Sequence, residues 1–318
     1  MQPLPARAFQ APWPSSWFPQ VSRHERAGPL WLHPHRGVTQ SALLDRAAAG
    51  TRILAASAAL SGVPLATWAA AYVHGATALD GLADDGRTEL PVVFCPGRSG
   101  ARGRRPGLEP LRSLLADDDV TTVHGLPVTS PLRTAFDLGR TAPDLDTAVA
   151  DVDAVLRATR TPVAELSAYA QERPGWKGVP LLRAALPLLD PRARSRPESR
   201  MRVVWVRDAG LPRPQVNVET RSQQDGVLLG IPDLLDLETG LVGEYDGAGH
   251  RETRQHGADN VREETFEEHG LTVVRAIWDD VRRRQGLARR LRSGHARARR
   301  QQRRTWYVPP SQLRQPLR

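Results

Sequence analysis

The stretch that most constrains this chain is residues 231–250, IPDLLDLETGLVGEYDGAGH, in which two short apolar runs surround a turn. Leu234–Leu237 and Leu241–Tyr245 flank Thr239-Gly240. Apolar runs of this length on either side of a glycine turn are typical of a β-hairpin. The stretch therefore predicts two paired strands at the centre of a folded domain.

Acidic side chains follow the same hairpin. Because side chains alternate along a strand, Glu244 and Asp246 are expected to project from one face. Pairing across the turn would bring Asp233 towards Glu244, with His250 just downstream. Oxygen ligands clustered in this way suit a hard cation such as Mg²⁺ or Mn²⁺. The alternative is that these are ordinary solvated acids at strand ends.

The stretch and its flanks resemble the Vsr-like endonuclease family, a branch of the PD-(D/E)xK restriction-endonuclease-like nucleases. The shared signature, Asp…Glu-x-Asp-Gly-x-x-His, stands here as Asp233, Glu244–Gly247 and His250. Further elements recur in the family's order, so the resemblance covers roughly residues 196–281. These elements are Arg196–Arg202, Ala209–Pro212, Gln215-Val216, Asp259, Arg262, Phe266, Gly270, Val273–Arg275 and Trp278–Val281.

The resemblance implies a mixed sheet flanked by helices and a Mg²⁺-dependent DNA endonuclease activity. In that reaction Asp233 and Glu244 hold the metal, which polarises the scissile phosphate and activates a water molecule. Asp246 is a further candidate ligand, and Glu198 on the first helix of the domain completes the acidic cluster. His250 is either the general base or leaving-group acid, or a structural histidine at the strand exit.

One position departs from the nuclease pattern. Many PD-(D/E)xK enzymes keep a lysine two residues after the glutamate, where this chain has Asp246. Lys177 is the only lysine of the chain and lies outside the stretch. The departure bears on catalysis and leaves the predicted fold unaffected. A non-catalytic scaffold that binds DNA is therefore the alternative function.

Two runs nearer the N-terminus, residues 67–76 (TWAAAYVHGA) and 123–138 (VHGLPVTSPLRTAFDL), resemble the AbiEi family. AbiEi proteins are antitoxins of abortive-infection toxin–antitoxin systems, so the resemblance implies a DNA-binding regulator with a toxin protein as partner. The winged helix-turn-helix usual in that family is expected to be reduced here to a wing-like hairpin at Trp31–Val38. A third interpretation is an interaction protein that binds a protein partner and no DNA.

The second AbiEi-like run also makes local predictions. It reads as a strand, a turn and a helix that begins at Pro131, with Thr129 or Ser130 as its N-cap. Arg133 and Asp137 lie four residues apart on that helix and are expected to form an orienting salt bridge.

The 318 residues indicate about two domains. Pro and Arg cluster at Asp190–Pro197, where the apolar periodicity lapses, so a linker is predicted there. The predicted class is α/β: a restriction-endonuclease-like C-terminal domain joined to a mostly helical α+β N-terminal domain. The predicted ranges are 1–40 for a loose arm with the wing-like hairpin, 41–190 for the AbiEi-like domain, 196–281 for the Vsr-like domain and 282–318 for a basic tail.

The net charge of +9 and a pI near 10.8 favour a polyanionic partner. Arg282–Arg304 carries eleven arginines and no acid, and its apolar face looks too narrow to pack. Such blocks are disordered or serve as interaction arms, and Trp306 and Tyr307 could stack on bases. The predicted nucleic-acid contacts are Arg282, Arg283, Arg284, Arg289 and Arg290.

Cysteine usage and the apolar segments bear on the compartment. Cys95 is the sole cysteine, so no intrachain disulfide forms and a reducing compartment is expected. Residues 53–73 are uncharged and long enough to span a bilayer, but Ser61–Pro64 interrupts them. Two ordinary helices are predicted there. With no secretory signal in the first residues, the expected location is the cytoplasm.

Overall fold

The computed structural model describes residues 13–14, 24, 27–97, 105–247, 262–301 and 303–313. The chain forms two compact units, one of Met1–Ala142 with Val155–Leu182 and one of Pro143–Ala154 with Arg183–Arg318. Helices and mixed sheets occur together, which confirms the predicted α/β class. The sequence-based domain ranges stay predictions.

The first unit combines short strands with helices. Strand β3 pairs with β1 and β2, β4 runs parallel to β5, and β6 and β7 form a hairpin. Leu65 bridges Phe94 of β4 and Val128 of β7. The strands are β1 (Trp13–Pro14), β2 (Trp31–Leu32), β3 (Val38–Ser41), β4 (Val92–Phe94), β5 (Leu108–Pro110), β6 (Val120–Val123) and β7 (Leu126–Thr129). The helices are α1 (Ala49–Leu60), α2 (Thr67–Val73), α3 (Pro131–Thr141), α4 (Leu145–Thr159, whose first part belongs to the second unit), α5 (Val163–Gln171) and α6 (Val179–Ala185).

The uncharged stretch 53–73 contains the predicted break. Helix α1 ends at Leu60, and both Ser61 (φ 50°) and Gly62 (φ 92°) adopt left-handed backbone conformations before α2 begins at Thr67. Consecutive positive φ angles cannot continue a right-handed helix. None of the helices in the described part of the chain is long and apolar enough to cross a membrane.

Helix α3 begins as the sequence predicts. Ser130 is its N-cap, with the hydroxyl oxygen accepting from the Arg133 amide, and Pro131 occupies the first turn. The predicted salt bridge is confirmed, with Arg133 Nε 2.7 Å from Asp137 Oδ2 and both side chains fully buried. Asp119 also accepts from Arg133 at 2.7 Å. Because buried charges need partners, this network fixes α3 against its neighbours in the first unit.

The second unit contains two sheets. A four-stranded mixed sheet has the order β13-β12-β11-β8, and a three-stranded antiparallel sheet has the order β10-β9-β14. Its strands are β8 (Gln215–Val216), β9 (Thr220–Ser222), β10 (Leu228–Gly230), β11 (Leu234–Leu235), β12 (Leu241–Tyr245), β13 (Thr272–Ala276) and β14 (Trp306–Tyr307). Its helices are α7 (Arg196–Val203), α8 (Trp278–Arg282) and α9 (Arg284–Ala298), with a π-helical turn at Val204–Asp208 and helical residues at 262–268.

The predicted hairpin lies at the centre of the mixed sheet. Strands β11 and β12 are antiparallel, with Leu234 opposite Gly243 and Leu235 opposite Val242. Because side chains alternate along the strands, Leu234 and Leu241 lie in a core with Met201, Trp205 and Leu291. Leu235 and Val242 face a second core that contains Phe266 and Trp306. The sheet is therefore buried on both faces, which suits its nearly continuous apolar strands.

The segment Asp190–Pro197, predicted as a linker, is held in the fold by hydrogen bonds and an ion pair. Asp190 is 1% exposed, and its amide donates to Asp153 Oδ1 at 2.7 Å. Its carboxylate accepts from Arg192 Nε at 3.1 Å. Prolines and arginines indicated an open connection, whereas long-range partners that a local pattern does not reveal hold the segment in place.

The described part of the basic tail, residues 282–301 and 303–313, is also folded, so the prediction of a disordered or free arm was wrong for these residues. Within α9, Leu287 and Leu291 are fully buried, and the small residues Ala288, Gly294 and Ala298 widen the apolar face. Beyond α9, β14 pairs with β9 and buries Trp306 to 1% exposure. Trp306 is therefore core and not available to stack on bases.

Glycine 294 allows α9 to lie close to the sheet. A Cβ atom there would meet Val274 Cγ2 at 2.7 Å and Leu241 Cδ1 at 3.0 Å. A Cβ atom at Gly286, in the same helix, would meet nothing within 4 Å. The two glycines therefore form a matched pair for testing whether the tail is packed.

We expect Gly294→Ala to lower stability by about 1–3 kcal/mol, because the added methyl group overpacks the core. Gly286→Ala should raise stability by about 0.5–1 kcal/mol, because alanine favours helix and finds open space. Thermal and urea unfolding of both variants checks this. If both substitutions stabilise the protein equally, α9 does not pack on the sheet.

Candidate functional site

The hairpin brings two of the predicted acids together. Asp233 immediately precedes β11, and Glu244 is the fourth residue of β12. Asp233 Oδ2 accepts a hydrogen bond of 2.7 Å from the Tyr245 amide, which ties the start of one strand to the end of the other. The expected approach of Asp233 to Glu244 therefore follows from the strand register.

Glu244 is the more buried member of the pair, at 8% exposure. Its Oε2 accepts from Arg262 Nη2 at 2.7 Å. Its Oε1 is buried and has no hydrogen-bond partner among the described residues. Burial, and then the negative charge of Asp233, raise the pKa of Glu244 to about 8. A lone buried acceptor costs free energy, so this oxygen favours a proton or a cation beside it.

Asp233 shares the same environment. Burial, followed by the charge of Glu198, raises its pKa to about 6, against the lowering effect of the Tyr245 amide. Arg262 also lowers the pKa of both carboxyl groups. The two carboxyl groups therefore lie close together in a poorly solvated environment, with the guanidinium group of Arg262 as their neighbour.

Glu198 approaches this pair from helix α7. Ser195 caps the helix by accepting from the Glu198 amide at 3.3 Å. Glu198 Oε2 accepts from the Arg194 amide at 2.8 Å and from Asn217 Nδ2 at 2.9 Å. Glu198 thus places a negative charge near Asp233, while one of its oxygens is already occupied.

The other two predicted site residues are Asp246 and His250. Asp246 follows β12, and its amide donates to the Ala276 carbonyl at 2.7 Å, joining the ends of the parallel strands β12 and β13. His250 lies outside the described residues. In the described part of the chain, no three His, Cys, Asp or Glu side chains are grouped so that they could hold a metal ion. The predicted Mg²⁺ or Mn²⁺ site stays a prediction.

The donor chemistry of the pair nevertheless fits a hard cation. Asp233 and Glu244 supply carboxylate oxygens, and Oε1 of Glu244 is a buried acceptor with no protein donor in the described residues. These two residues would hold the ion. In the structure, Arg262 supplies the positive charge beside them.

Two neighbours of the pair had no predicted role. Arg262 belongs to the Vsr-like resemblance without an assigned role, and no motif of the sequence includes Asn217. Asn217 adopts a positive φ of 49°, and its amide contacts both Glu198 and the Arg192 carbonyl. An asparagine just after a short strand was the only local signal, since asparagine tolerates this conformation better than most residues.

The five arginines predicted to contact nucleic acid differ in their surroundings. Arg284 pairs with Asp146 and Asp208, Arg290 pairs with Asp280 at 2.8 Å, and Arg283 lies 3.5 Å from Asp279. Arg282 and Arg289 are exposed, and no described acid pairs with either. The structure thus separates arginines that are engaged within the fold from those open to a ligand.

One part of the chain is similar to a known protein family. Residues 66–187 match the family described as the AbiEi antitoxin C-terminal domain. This match supports the antitoxin-like resemblance for that region. The Vsr-like resemblance of residues 196–281 stays a prediction.

Two curated relatives come from Mycobacterium tuberculosis: uncharacterized protein Rv2248 of strain H37Rv and uncharacterized protein MT2308 of strain CDC 1551. Each is 32% identical to this chain over 179 residues, or 56% of the chain. The chain spans 65% of the length of these relatives. No solved structure matches the chain.

The raised pKa of Glu244 predicts how stability depends on pH. The folded protein holds a proton between about pH 4.5 and about 8 that the unfolded chain releases. Stability is therefore fullest below that range and falls as the pH rises through it. Glu244→Gln, which cannot ionise, should remove this loss and be more stable than the parent by about 1–3 kcal/mol at pH 9.

The measurement is urea unfolding from pH 5 to pH 9 in EDTA. Glu268→Gln, which removes an exposed acid near Arg262 in the sequence, is the control and should track the parent. A difference between parent and Glu244→Gln that does not grow with pH would contradict a buried ionising group.

Proposed function

We propose that this protein is a nucleic-acid-binding regulator or antitoxin of the AbiEi type, with DNA as the polyanion and a toxin protein as a further partner. The observation that carries the proposal is the match of residues 66–187 to the AbiEi antitoxin C-terminal domain. In this proposal the second unit is a binding scaffold, and Arg262 balances the charge of Asp233 and Glu244 without a metal.

Helix α9 supplies a suitable binding surface. Its inward face is apolar and fixes it to the sheet, while Arg289, Arg297, Arg299 and Arg300, at its outward positions and just beyond its end, are exposed. Their guanidinium groups make no ion pair within the described residues. A helix that presents such arginines suits the phosphate backbone, because guanidinium groups that neutralise phosphates release the counterions condensed on the nucleic acid. This binding needs no particular base sequence.

The proposal predicts which arginines set the affinity. Arg289→Gln with Arg297→Gln should reduce the slope of log K against log salt for duplex DNA by about 1–2 and weaken binding uniformly across sequences. Melting temperature should not change, because neither side chain has an ion-pair partner to lose among the described residues.

Fluorescence-anisotropy titrations at several salt concentrations measure the slope. Arg36→Gln with Arg87→Gln is the matched control, since it removes the same charge from exposed positions of the other unit. Equal slopes for the α9 variant and the control would mean that the α9 surface makes no phosphate contacts.

A second candidate function is metal-dependent phosphodiester hydrolysis, which the buried pair of carboxylates favours. Asp233 and Glu244 would hold Mg²⁺ or Mn²⁺, with Asp246 as an additional proposed ligand. Bound there, the ion would polarise the phosphate and lower the pKa of water. His250 keeps its proposed role as general base or leaving-group acid. This function requires plasmid cleavage that depends on Mg²⁺ or Mn²⁺ and disappears in Asp233→Asn.

A further inference from the structure

The second unit holds a cleft of about 580 Å³ that Arg289, Arg297, Arg299 and Arg300 do not line. Its lining includes Arg200 of α7, Arg207 of the π-helical turn, and Trp278 and Arg282 of α8. Trp278 stands two residues beyond the end of β13, whose neighbour β12 runs parallel to it. Crevices outside the carboxyl ends of parallel strands are where ligands bind in open α/β sheets.

The charges of the cleft do not cancel. Arg284 is already paired with both Asp146 and Asp208. Asp144 accepts a hydrogen bond of 2.7 Å from the Thr147 amide near the start of α4. Of the four lining arginines, Arg207 and Arg282 are exposed and have no acidic partner within the described residues. Two guanidinium groups therefore remain for an anion from outside.

The cleft also holds an aromatic surface in a fixed place. Arg200 is 7% exposed, and its guanidinium carbon lies 5.5 Å from the centroid of the Trp278 ring. Its Nη2 donates to Thr147 Oγ1 at 3.2 Å. A buried cation held against an indole keeps the ring in one orientation. A planar ligand can therefore stack on the indole ring without the entropy cost of ordering that side chain.

The backbone that carries Arg207 is unusual. Residues Val204–Asp208 form a π-helical turn directly after α7. Such turns are rare and are frequently found at functional sites. Here the turn places Arg207 and Asp208 at the wall of the cleft.

We propose that this cleft binds a nucleotide, with the phosphate held by Arg207 and Arg282 and the base against Trp278. Guanidinium groups match phosphate oxygens, and indole rings stack on any base. A free mononucleotide and the 5′-phosphorylated end of a strand share this chemistry. The site goes beyond the proposed duplex-binding surface, because none of the exposed α9 arginines that carry that surface lines the cleft.

Calorimetric titration with adenosine 5′-monophosphate, adenosine and inorganic phosphate tests the site. Adenosine 5′-monophosphate should bind the full-length protein saturably and more tightly than either fragment. Arg207→Gln with Arg282→Gln should lose about tenfold or more in affinity, the effect expected for charge-assisted hydrogen bonds. Trp278→Leu should lower the affinity for adenosine 5′-monophosphate while leaving the affinity for inorganic phosphate unchanged.

Arg289→Gln with Arg297→Gln is the control of equal charge and should keep the nucleotide affinity within about twofold of the parent. The same variants are also titrated with duplex DNA. This second measurement distinguishes a failure of the proposed nucleotide site from a failure of the proposed duplex-binding surface on α9. Competition with a 5′-phosphorylated trinucleotide distinguishes a strand end from a free nucleotide, and displacement by either supports the site. No saturable binding, or equal affinity in the parent and the Arg207/Arg282 variant, would overturn the proposal.

Discussion

The carboxyl groups of Asp233 and Glu244 lie together in a buried environment, and the arrangement of the second unit depends on how their charge is balanced. The register of β11 and β12 forces Asp233 and Glu244 together, and burial raises the pKa of both. Such a pair is stable only with a proton or a cation beside it. Arg262 is that cation in the structure, and the Tyr245 amide supplies a further donor.

The cores on both faces of the sheet hold this pair in position. Helix α9 lies against one face because Gly294 allows contact with Val274 and Leu241. Phe266 and Trp306 pack on the other face. One consequence is that the basic segment becomes rigid, so its outward arginines form a fixed surface rather than a mobile arm. Preorganised charges lose less entropy on binding than flexible ones.

Local features were predicted well from the sequence. The hairpin, the break between α1 and α2, the Ser130 cap and the Arg133–Asp137 pair all depend on residues at most a few positions apart. The tail was mispredicted because its apolar face is completed by small residues, Ala288, Gly294 and Ala298, which signal burial only when a sheet approaches them. The Arg262–Glu244 pair spans eighteen residues of chain, and no periodicity reveals such a partner. The assignment of Trp306 to base stacking failed because its pairing strand, β9, lies far away in the sequence.

We propose that this protein binds nucleic acid as a scaffold whose acidic pair needs no metal. The most direct test measures the affinity of the parent protein for duplex DNA in EDTA and in Mg²⁺, and examines the recovered DNA for cleavage. We expect binding in EDTA, an affinity in Mg²⁺ that is no higher because the divalent cation competes for the phosphates, and intact DNA. Binding that requires Mg²⁺ and leaves cut strands, with both effects lost in Asp233→Asn, would contradict it and establish the nuclease.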